Sequence, residues 1–222
     1  MNRISSAVAP LALAAIATLL ATLLTMAAAL AAGIDPTGKF DAIKPPQPTE
    51  TPGKVEVVEV FSYACPHCFT FLPLMEQYAK SKPDYVEIRH MPAIFRDSWV
   101  PLARAYYTAE LLGVADRIHR PIFEAIHVRN EPLNDRDALM KFFAKHGVSN
   151  EDFNKTYDSF AVESLVRKSQ VMQQRYRVRG TPTVIVNGKY QVSGTLAGSA
   201  ENVIMVVDAL AEREHKEQMA SQ

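Results

Sequence analysis

A chain of 222 residues has room for one large domain or two small ones, and its 48% hydrophobic content is enough for a sizeable core. Lys plus Arg equals Asp plus Glu, 24 against 24, so the basic surplus of a nucleic-acid binder is missing and no nucleic-acid partner is expected. Two cysteines in the whole chain exclude a multi-bridge disulfide scaffold.

Arg3 is the only charge before Asp35, and residues 11–32 are an unbroken run of Ala, Leu, Thr, Ile and Met. Ala27-Ala28-Ala29 and Ala29-Leu30-Ala31 both have the A-x-A form of a cleavage sequence, so residues 1–32 read as an export signal. The run is longer than an ordinary signal core and long enough to span a bilayer, which leaves an uncleaved anchor as the alternative. Either reading puts the remainder outside the cytoplasm, where disulfides persist. Pro36, Pro45, Pro46, Pro48 and Pro52 exclude a helix from residues 33–53, which read as a linker.

Residues 54–61 (KVEVVEVF) are Val-rich and read as a strand. A helix is predicted from Cys65-Pro66 to about Lys80, then a second strand over 85–91, ended by Pro92. Within 97–176 apolar residues recur at three-to-four spacing in 104–112, 120–128, 135–146 and 162–175, and Ser149-Asn150-Glu151-Asp152 reads as a helix N-cap. Residues 183–186 and 189–192 flank Asn187-Gly188, a strong two-residue hairpin signal. Ser199 caps a last helix over about 200–213, with Val203, Val206, Val207 and Leu210 on one face and a polar, frayed tail beyond. This order describes a split α/β unit, residues 54–96 and 177–214, interrupted by an all-helical insertion at 97–176.

Cys65-Pro66-His67-Cys68 falls where the first strand ends and the helix begins. Residues three apart on a helix share a face, at a Cα separation of about 5 Å that a disulfide accepts. A ring this small removes little entropy from the unfolded chain, so stapling is a poor reason for such a bond and chemistry a better one. Pro66 suits the first helical position because its missing N–H has no partner there anyway. Cys65 then sits at the helix N-terminus, where free N–H groups and the positive dipole end favour a thiolate; His67 adds positive charge nearby. A stable Cys65 thiolate favours the reduced form, which makes the disulfide a strong oxidant.

Glu59 shares an alternating strand face with Val57 and Phe61. It reads either as a half-buried carboxylate of raised pKa that relays a proton to or from Cys68, or as a solvated strand residue beside Glu56. A C-x-x-C pair is also half of a zinc site, but two further ligands are needed and no second Cys pair exists. His90, His119, His127, His146 and His215 show no ligand spacing and read as surface or satisfied side chains, with His119 and His127 eight apart on one helical stretch. Thr181-Pro182 opens a strand directly before the hairpin; an X-Pro bond is usually trans. No Gly-rich phosphate loop or dinucleotide fingerprint is present, and no cofactor or metal is expected.

Glu59-Val60-Phe61-Ser62 leading into Cys65-Pro66-His67-Cys68 carries one half of a resemblance. Arg179-Gly180-Thr181-Pro182 leading into Val186-Asn187-Gly188-Lys189-Tyr190, beyond a helical stretch, carries the other. Over residues 54–212 the chain resembles the DsbA family of periplasmic disulfide-donating enzymes. The resemblance implies a thioredoxin-like fold with a helical insertion. It implies Cys65 as attacking sulfur, Cys68 as buried partner, His67 as thiolate stabiliser and Glu59 as buried acid. It also implies a cis Pro182 beside the disulfide, with Thr181 and Pro66 touching substrate. Many members have Val before the cis-proline where this chain has Thr181. The implied partners are reduced, unfolded secreted proteins and a DsbB-like quinone-linked membrane oxidase, with the enzyme a periplasmic monomer. A disulfide isomerase or reductase, a copper-delivery protein and a non-catalytic peptide-binding module are the competing readings.

Overall fold

The computed structural model describes residues 34–221, so the expected signal at 1–32 lies outside the described residues. The chain divides into residues 1–35 and 36–222, and every element below belongs to the second unit. Among the described residues no helix is long and apolar enough to cross a membrane.

Five strands form one sheet in the order β1-β5-β4-β2-β3. Strand β2 (Val55–Phe61) is central, parallel to β3 (Val86–Pro92) and antiparallel to β4 (Thr183–Val186). Helix α1 (Pro66–Ser81) makes the crossover between the parallel pair, as a parallel connection requires. All seven residues of β2 are buried, which fits a central strand covered on both faces. Glu56 is buried too, its carboxylate held by Arg89 at 3.2 Å and the Glu50 amide at 2.8 Å. Val58 and Val60 pack with Ile43, Met91, Tyr176 and Ile185 on one side, while Phe61 points into a second core shared with Cys65, Cys68 and Leu72.

The helical region runs through a 3₁₀ turn (Asp97–Trp99), α2 (Val100–Leu111), α3 (Ala115–His127), α4 (Arg136–Lys145), α5 (Asn150–Tyr157) and α6 (Phe160–Arg175). Asp135, Ser149 and Ser159 cap α4, α5 and α6 through their side-chain oxygens, each satisfying an otherwise unpaired amide. This region builds its own apolar interior from Ile118, Ile122, Phe123, Leu139, Phe143 and Phe153, continuous with the core behind the cysteines.

β4 and β5 (Tyr190–Ser193) form the expected hairpin, with Asn187 and Gly188 both at positive φ, 50° and 64°. A short helix α7 (Gly194–Ala197), not anticipated, precedes α8 (Ala200–Ala220). The last helix is longer than its sequence suggests. Glu214, in the expected frayed tail, is fully buried and accepts 2.6 Å hydrogen bonds from Asn187 and Lys189 in the hairpin. Pairing with the turn lets this carboxylate sit inside and extends the helix past residue 213.

Within the segment expected as a linker, the described residues contribute an edge strand instead. β1 (Asp41–Ala42) pairs antiparallel with β5, Ile43 is 4% exposed, and the Ile43 and Gln47 amides bond to Lys189 and Gly188 carbonyls at 2.7 and 2.9 Å. The prolines do exclude a helix here, but an extended edge segment tolerates them.

Candidate active site

Cys65 is the N-cap of α1, with extended backbone (φ −96°, ψ 114°) and Pro66 at the first helical position. Its carbonyl begins the helix ladder, accepting from the Cys68 and Phe69 amides at 3.1 and 3.2 Å. The two sulfurs are therefore presented by one helical turn, and both cysteines are free thiols. Cys65 is 8% exposed and Cys68 is not exposed at all.

The surroundings drive the two thiols apart. Cys65 is lowered to about 5, chiefly by the hydrogen bond from the Cys68 thiol. Burial opposes the shift; the Thr181 side chain and the amides of Cys68 and His67 add to it. Cys68 is pushed far above the ordinary thiol range, first by burial and then by the hydrogen bond and charge of Cys65, with the Ser62 amide partly offsetting. As a thiol, Cys65 also donates to the Thr181 carbonyl at 3.4 Å. That contact is lost on ionisation, whereas the amide donors strengthen toward an anion.

Thr181-Pro182 is cis, and its loop lies against the nucleophile. A second cis bond, Lys44-Pro45, occurs in the N-terminal segment. His67 is exposed, and with Thr70, Arg179, Thr181, Pro182 and Leu196 it lines a cleft of about 620 Å³ beside the cysteines. It is the His67 amide that lowers Cys65 in this arrangement. Pro66 is exposed next to it at the helix start.

Glu59 is 2% exposed and its carboxylate lies 2.9 Å from His90 Nδ1. Strand alternation puts Glu59 on the face of Phe61, whose side chain shares a core with Cys68. The β2–β3 register sets Glu59 directly opposite His90, and their contact raises the His90 pKa against the effect of burial. His90 in turn lines a second cleft of about 570 Å³ with His119, Tyr106 and Glu110. Sequence reasoning brought Cys65, Cys68, His67, Pro66, Thr181 and Pro182 to one place. It missed His90 as the partner of Glu59, and the only signal for that pair is the parallel register. It also missed Ser62, whose amide faces the Cys68 sulfur.

A strand-to-helix C-x-x-C with one depressed thiol, backed by a cis-proline loop, defines a thiol:disulfide oxidoreductase of the thioredoxin type. The sequence profile of the DSBA-like thioredoxin domain matches residues 90–202. A relative from Pseudomonas syringae pv. tomato, "Thiol:disulfide interchange protein DsbA", is 35% identical over 194 residues, covering 87% of this chain and 91% of the relative. An alignment of that length in a 222-residue chain necessarily takes in Cys65 and Cys68. The protein of the same description from Azotobacter vinelandii is 38% identical over 171 residues, 77% of this chain and 80% of its own. Among solved structures, Pseudomonas aeruginosa DsbA superposes with a TM-score of 0.78 at 34% identity, over 83% of this chain and 95% of its own. The oxidoreductase DsbA from Xylella fastidiosa does so with a TM-score of 0.76 at 35% identity, over 80% and 96%. The chain belongs to the DsbA family of thioredoxin-like disulfide oxidoreductases.

Proposed function

We propose that this enzyme donates the Cys65–Cys68 disulfide to reduced, newly exported proteins in the periplasm, and that a DsbB-like quinone-linked membrane oxidase restores it. The carrying observation is the asymmetry of the pair: Cys65 is stabilised as an anion at a helix end, and Cys68 is shut inside as a thiol. A substrate thiolate attacks Cys65 Sγ, the intramolecular S–S bond breaks, and Cys68 leaves and takes up a proton. A second substrate thiolate then attacks the substrate sulfur of the mixed disulfide, and Cys65 departs as a thiolate. Two electrons pass from substrate to enzyme, so an external two-electron acceptor must complete the cycle. Cys65 leaves readily because its thiolate is stable, which is the condition for a strongly oxidising disulfide.

In this reading Glu59 exchanges the Cys68 proton, a role supported by its burial on the Cys68 side of the sheet and by its contact with His90. Thr181, Pro182 and Pro66 border the incoming peptide, with Thr181 also tuning Cys65 through its side chain. Residues 54–96 and 177–214 serve as the catalytic unit and 97–176 as its helical insertion, the enzyme acting as a monomer. Cys68→Ser tests the reading. With a reduced, unfolded substrate and an oxidant, this variant accumulates mixed disulfides through Cys65, visible on a non-reducing gel. Their absence sinks the assignment.

A further inference from the structure

We propose that helix α3 positions the nucleophile's loop by gripping Tyr63 at both ends, His119 at its hydroxyl and His127 at its carbonyl, which makes these two histidines positioning residues for disulfide exchange. The proposal rests on the exchange reaction through Cys65. His119 and His127 are two turns apart on α3 with Phe123 between them, so all three project from one face. The His119 Nδ1 to Tyr63 hydroxyl distance is 2.9 Å, and His127 Nε2 donates to the Tyr63 carbonyl at 2.8 Å. Phe123 packs edge-on against the Tyr63 ring with centroids 4.9 Å apart. Tyr63 itself is 1% exposed. Three successive turns of a helix in the insertion are thus spent on one loop residue, two positions before the nucleophile.

The loop they hold is the one that sets both sulfurs. Cys65 N–H donates to the Ser62 carbonyl at 3.0 Å, and the Ser62 side chain accepts from the Ala64 amide at 3.2 Å, closing a tight turn around Tyr63. The Ser62 amide also stabilises the Cys68 sulfur. A shift of the Tyr63 main chain therefore moves the start of α1 relative to both thiols. His127 is also stacked on Phe69 of α1, with centroids 5.3 Å apart and planes 15° from parallel. It ties the loop to the first turn of the active-site helix. A carbonyl oxygen only accepts, so the His127 Nε2 carries the proton of this contact. Burial keeps His119 neutral, and its Nε2 makes no hydrogen bond among the described residues. Its polar contact is the one to Tyr63.

His127→Phe keeps an aromatic ring on Phe69 and deletes only the donor, whereas His127→Gln restores a side-chain N–H. Cys65 is titrated in the full-length reduced protein by thiolate absorbance, and the thiol–disulfide equilibrium is measured against glutathione. The wild type is expected to titrate at about 5. H127F is expected to raise that value by about half a unit or more and to shift the glutathione equilibrium about threefold toward a weaker oxidant, since one unit is tenfold. H127Q returns both toward wild type, and Y63F, which loses only the hydroxyl, moves them in the same direction as H127F. If H127F does not fold, Y63F carries the test alone. Wild-type values in the folded variants overturn the grip while leaving the exchange reaction in place. So does equal destabilisation of the oxidised and reduced forms with no change in titration. An ordinary thiol value in the wild type overturns both.

Discussion

Cys65 and Cys68 are the same residue type three positions apart, and only their neighbours make one an anion and the other a thiol. The Cys68 thiol, hydrogen-bonded to it, lowers Cys65 against the effect of burial, helped by the Thr181 side chain and the helix-end amides, while burial and then Cys65 itself raise Cys68. The amide contribution belongs to the main chain at positions 67 and 68, so it survives side-chain replacement. His67→Ser removes only the exposed imidazole and is therefore expected to raise the Cys65 pKa by less than about one unit, leaving it well below the ordinary thiol value of 9.0. Thiolate absorbance of the reduced variant measures this; a full return to 9 would place the whole effect in the imidazole. At this scale the motif was legible because a Cys-Pro pair at a helix start has a mechanism attached to each residue. Glu59 was half-legible: alternation gave its face, but the same alternation is compatible with solvent on that face. Its contact with His90, 31 positions away, depends on the pairing of two strands.

Among the elements, the hairpin turn carries more than its own geometry. Gly188 supplies the positive φ that a two-residue turn needs, and it also receives the N-terminal segment. A Cβ at this position would stand 2.1 Å from the Gln47 carbonyl oxygen, a backbone atom that cannot swing aside. Gly188→Ala is thus expected to lower stability by roughly 2–3 kcal/mol, combining unfavourable φ with displacement of residues 41–47. Urea unfolding of the oxidised protein reads this directly, and a loss under about 0.5 kcal/mol, the scale of an ordinary surface substitution, would refute the close approach. The same turn holds Glu214 of α8 through Asn187 and Lys189. These ties explain two differences from expectation. The proline-rich segment joins the sheet edge and the polar tail stays helical because each finds a partner at one hairpin, distant in sequence.

For the whole molecule, redox state and stability are linked through the two thiols. The folded Cys65 value lies near 5 against 9.0 for an ordinary thiol. Its thiolate therefore stabilises the reduced form fully above pH 9, and this contribution is lost as pH falls through the folded value. Cys68 is shifted the other way, so above about pH 9 the unfolded chain ionises it and the folded protein does not, which subtracts stability again. The advantage of the reduced over the oxidised protein is accordingly expected to be largest near pH 8–9, within about one unit, and to shrink steadily toward pH 5. Denaturant unfolding of both redox forms across that range measures it, and a gap that does not change with pH would contradict the assigned thiolate.

The alternation of the main strands and helices, the reactive pair, the helix caps at Ser149 and Ser199 and the turn at Asn187-Gly188 follow from the sequence by itself. Each is a local matter of periodicity, dihedral preference or spacing, in which the informative residues are neighbours in the chain. Only the tertiary structure decided that Glu59 meets His90, that Tyr63 is held by α3, that residues 41–47 close the sheet edge, and that Glu214 is buried. All four depend on strand register and on helix packing. Those are settled by the total burial of the core and by which polar groups find partners inside it, and no short stretch of residues encodes that balance.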